Sequence, residues 1–61
     1  MTPDQERWAE TLAVDRIYGE RAAVHVAERI GALAVLGDQA GIDRWIAIAR
    51  RLDQLRAGIA Q

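Results

Sequence analysis

His25, Glu28 and Arg29 are spaced three and four residues apart, which on a helix gathers all three on one face. A histidine beside a carboxylate is in principle an acid-base couple. No nucleophile, oxyanion-binding nest or metal ligand set accompanies this one. The trio reads as an exposed, solvated stripe, so no catalytic residue is assigned and the chain is not expected to be an enzyme. Cysteine is absent and His25 is the single histidine, too few ligands for a zinc site. Neither a metal nor a cofactor is expected.

Arg44, Arg50, Arg51 and Arg56 invite a nucleic-acid reading, since a helix, a short glycine-containing turn and a second helix match a helix-turn-helix in outline. Against it, eight arginines face nine acidic residues, for a formal charge of -1. Asp43 and Asp53 interrupt the basic face, and the helix before the turn is long for that motif. A small DNA-binding regulator is therefore the alternative reading. Trp8 and Trp45 are expected to anchor the core, although either would dominate a partner interface if exposed. The most informative spacing is Ala23, Ala27, Gly31 and Val35, where small side chains at four-residue steps let another helix approach closely. That helix is either the chain's own first or third helix or belongs to a second copy or an unidentified protein. Val24, Ala27, Gly31 and Val35 are the candidate interface.

These residues must be positioned by helices, because nothing alternates with the period of two that strands require. Thr2-Pro3-Asp4-Gln5 is a helix start, with a hydroxyl cap, proline in the first turn and glutamine as capping-box partner. Helix 1 is expected over about 3–18, burying Trp8, Ala9, Leu12, Ala13 and Ile17 and exposing Arg7, Glu10, Thr11 and Asp15, with Gly19 as the stop. Helix 2, poorly capped at its start, is expected over about 21–36 and ends at Gly37. Asp38 then caps helix 3, expected over about 39–58, whose seam is Trp45, Ile48, Leu52, Leu55 and Ile59, widened by Ile42, Ile46 and Ala49. Gly41 in its first turn reads as a mild cost. The minimal connection between helices 2 and 3 predicts an antiparallel hairpin. The fold class is all-α, a three-helix antiparallel arrangement in one domain spanning 1–61.

The strings Met1-Thr2-Pro3-Asp4-Gln5-Glu6-Arg7-Trp8-Ala9 and Ala27-Glu28-Arg29-Ile30-Gly31-Ala32-Leu33-Ala34, then Gly37-Asp38 with Gly41, Trp45 and Ile48, carry a resemblance over nearly the whole chain. It resembles a group of short alphaproteobacterial proteins filed as a domain of unknown function. That resemblance implies no activity, ligand or site residue.

The 61 residues lie near the lower limit at which one core offsets the entropy lost on folding. Without cysteine no disulfide can help, which leaves oligomerisation. On a helical wheel the apolar positions of helix 2 span about 260°, more than two neighbouring helices cover at about a third of the circumference each. The chain is accordingly expected to be a protein-interaction module that self-associates as a dimer and completes a larger bundle. No stretch approaches the roughly 20 apolar residues of a membrane span, and the acidic amino terminus is unlike a secretory signal, so a cytoplasmic protein is expected. Arginine without lysine, together with abundant alanine, suggests a G+C-rich bacterial source.

Overall fold

The computed structural model describes residues 1–60, with side chains through residue 58. The helices are α1 (Pro3–Tyr18), α2 (Ala22–Leu36) and α3 (Gln39–Ala60), with a 3-10 turn at Gly19–Arg21 between the first two. The capping box forms: Thr2 Oγ1 accepts from the Gln5 N–H at 3.2 Å, and the Gln5 side chain accepts from the Thr2 N–H at 2.9 Å. The 3-10 turn moves the start of α2 one residue past the expected position, and no side chain caps it.

Gly37 ends α2 in the left-handed conformation, φ 72°, with the Schellman pattern of Gly37 N–H to Ala34 carbonyl and Asp38 N–H to Leu33 carbonyl. Asp38 then starts α3 at once, its carboxylate accepting from the Gly41 N–H at 2.9 Å. A chain that reverses in two residues lays α2 and α3 side by side as an antiparallel hairpin. Gly41 leaves room for this cap: a Cβ there would lie 2.7 Å from the capping carboxylate and 3.1 Å from Leu33, so those side chains would have to shift.

Val14 of α1, Ala22 and Val26 of α2, and Ile48 and Leu52 of α3 form the core cluster, with Ile30, Trp45 and Ala49 packed against it. The seam of α3 lies as expected, Ile48 and Leu52 buried and Ile42, Trp45, Ile46, Ala49 and Leu55 half-buried, while the Ile59 side chain lies outside the described residues. The inward face of α1 differs from the expected one. Thr11 is fully buried, whereas Leu12 and Ile17 are 52% and 66% exposed and Ala9 is exposed.

The reason lies in what α1 meets. Glu10 pairs with Arg44, Asp4 with Arg51 at 2.6 Å and Asp15 with Arg56 at 3.4 Å, so the charges of α1 turn toward the arginines of α3. Thr11 enters the interior between them because its hydroxyl donates to the Arg7 carbonyl at 2.7 Å, leaving only its methyl to be buried unpaired.

Candidate functional site

The side of α2 that meets the rest of the chain carries Ala22, Val26 and Leu33, buried, with Ile30 and His25 half-buried. His25 was expected in an exposed stripe; instead its ring stacks on Tyr18 at 3.7 Å and meets Trp45 edge-on at 5.7 Å. Arg29 covers a face of the same Trp45 at 5.5 Å. Flat imidazole and guanidinium groups tolerate an aromatic wall while keeping an edge toward water. Part of the polar stripe is therefore turned inward, and apolar residues take its place outside.

That outward surface holds Ala23, Val24, Ala27, Gly31, Ala34 and Val35, which at 100° per residue fall within an arc of about 120°. Val35 is 89% exposed and Val24 48%. A Cβ built at Gly31 would meet nothing within 4 Å. Neither α1 nor α3 crosses the row of Ala23, Ala27, Gly31 and Val35, which leaves the intramolecular explanation of that spacing without support. Glu28, at the rim, is exposed. The sequence-derived candidates Val24, Ala27, Gly31 and Val35 thus share one open face. Ala23 and Ala34 complete it and were legible in the same periodicity.

Several charges of α1 and α3 pair with one another. Glu10 accepts hydrogen bonds from both Arg7 and Arg44. Burial alone would raise its carboxyl, but those two bonds and the two positive charges outweigh burial and hold it below the ordinary glutamate value. In the shallow groove bordered by Glu6, Arg7, Glu10 and Arg44, the last three charges are consequently already paired with one another. Arg51 donates to the Ala47 carbonyl at 3.0 Å and to Asp4, and its guanidinium lies 5.8 Å from the Trp8 ring. Its Nε, buried without a partner, is the cost of that position. Both tryptophans are half-buried, each with an arginine over one face. Among the described residues no three of His, Cys, Asp and Glu gather as a metal site, and no helix is long and apolar enough to cross a membrane.

A family model described as a family of unknown function (DUF6961) matches residues 3–58. No curated protein and no solved structure matches the chain.

Proposed function

The chain belongs to that family of unknown function, and from this premise we propose that it is a small protein-interaction module that self-associates through the outward face of α2. The observation that carries the reading is the composition of that face: six apolar residues and, at its rim, one charge, where a helix with a solvent side ordinarily carries its polar residues. The surface is too small and too lacking in polar groups to bind a small molecule with specificity, and it has the form that a second helix covers. Function on this reading resides in the assembly, in the cytoplasm of a bacterial cell, without catalysis. The DNA-binding alternative is less well supported, because Arg44, Arg51 and Arg56 already face carboxylates of α1.

Light scattering at micromolar concentration on the wild type and on Val35→Glu tests the proposal. The side chain of Val35 is in solvent, so the substitution leaves the monomer fold intact. The expected result is a wild-type dimer and a folded, monomeric variant. A wild type that stays monomeric across the concentration range would sink the proposal. Binding of random duplex DNA that weakens steeply with salt would favour the alternative.

A further inference from the structure

The spacing of the outward face of α2 reads the same in both directions. Its residues 23, 24, 27, 31, 34 and 35 are separated by steps of one, three, four, three and one, a spacing that is symmetric about position 29. The side chains are matched rim by rim about that centre: at 100° per residue Val24 and Val35 lie on one rim at either end, Ala23 and Ala34 on the other, and the two smallest, Ala27 and Gly31, in the middle. A two-fold interface demands a patch that is its own complement, and a helix meets that demand when it crosses its copy in the opposite direction about the centre of such a face.

We infer that the occupant of this face is a second copy of the chain, with the two α2 helices antiparallel about a two-fold axis near residue 29; the inference rests on the self-association proposed above. In this arrangement Ala27 of one protomer lies opposite the partner's Gly31, where the backbones come closest. Because the axis keeps each rim on its own side, Val24 meets the partner's Val35 along one rim, twice over, and Ala23 meets the partner's Ala34 along the other.

Charge supports the direction. α2 has no acidic residue in its first turn and no basic residue in its last, so its dipole is uncompensated within its own turns, and Arg21 stands at the positive end and Asp38 at the negative end. Antiparallel pairing sets each end beside the opposite end of the partner, with Arg21 beside the partner's Asp38, whereas parallel pairing would align like ends. The cost is Glu28, which faces its own copy across the axis, at a rim where solvent and salt screen it.

Cysteine cross-linking tests the arrangement, since the chain has no cysteine of its own and both valines are exposed. The single variants Val24→Cys and Val35→Cys are oxidised separately and as a mixture, with the mass of each reduced sample measured alongside. The expected outcome is a covalent dimer in the mixture alone, because like positions are held roughly 16 Å apart along the axis, at 1.5 Å per residue. Covalent dimers of each variant by itself would overturn the antiparallel arrangement and indicate parallel helices. A dimeric mass without any cross-link would overturn the register and leave self-association standing. A monomeric mass would overturn both.

Discussion

Glu10 shows how a charged residue comes to sit at a helix contact. Its folded carboxyl lies below the ordinary glutamate value, so the unfolded chain binds that proton more tightly than the folded one. The stabilisation from its two arginine partners is therefore fully present above the unfolded value and is lost as pH falls through the lower, folded value. Denaturant midpoints of the wild type and Glu10→Gln should differ at neutral pH, and the difference should shrink as pH falls through the folded value. A difference that does not change with pH would mean that the Glu10 charge is not what holds the contact. Thr11 and His25 teach the same lesson: each is polar and each is buried or half-buried, because a local acceptor or an aromatic ring takes the part that water would otherwise satisfy.

At the scale of the element, the corner between α2 and α3 couples a cap to a glycine. Asp38→Ala removes the side-chain cap and should destabilise by about 1 kcal/mol. In an ordinary helix interior Gly→Ala would stabilise by about 1 kcal/mol. At Gly41 the added methyl would displace the same carboxylate, so Gly41→Ala should give none of that gain in the wild type and should recover part of it once Asp38 is already alanine. Thermal or chemical unfolding of the four chains of this cycle measures the coupling, and additive effects would show that the methyl and the cap do not compete. The α1–α3 contact is built otherwise, by ion pairs around a small apolar centre, which is why α1 turns Leu12 and Ile17 outward.

The whole molecule is loosely closed for its size. Its accessible surface of 4350 Å² exceeds the about 3,950 Å² expected for a folded monomer of 6.8 kDa. Its Cα radius of gyration of 11.6 Å likewise exceeds the about 10.5 Å of a compact domain of this length. Surplus surface and an open apolar helix face are what the proposed self-association would cover. Because a ligand of the folded state stabilises by mass action, the unfolding temperature of the wild type should rise with protein concentration, while that of Val35→Glu should not. A concentration-independent wild type would show that the monomer is the folding unit.

The sequence by itself determined the elements: a capping box, two glycine stops and an aspartate cap are local signals, so the helices begin and end within one or two residues of where those signals put them. It also determined the seam of α3, whose single apolar stripe leaves one choice of inward face. For α1 and α2 the choice was not local. The apolar residues of α2 span more of the circumference than its neighbours can cover, and hydropathy treats every part of that arc alike. Which part goes inside depends on shape and on flat polar groups: Tyr18 and Trp45 offer faces on which His25 and Arg29 stack, and that stacking turns Val24, Ala27, Gly31 and Val35 outward. In α1 the partners of Asp4, Glu10 and Asp15 lie 34 to 47 residues away in the chain, so only the tertiary structure brings the arginines that rotate the helix. Periodicity records how apolar a face is, and the long-range pairing of charges and rings decides which way it points.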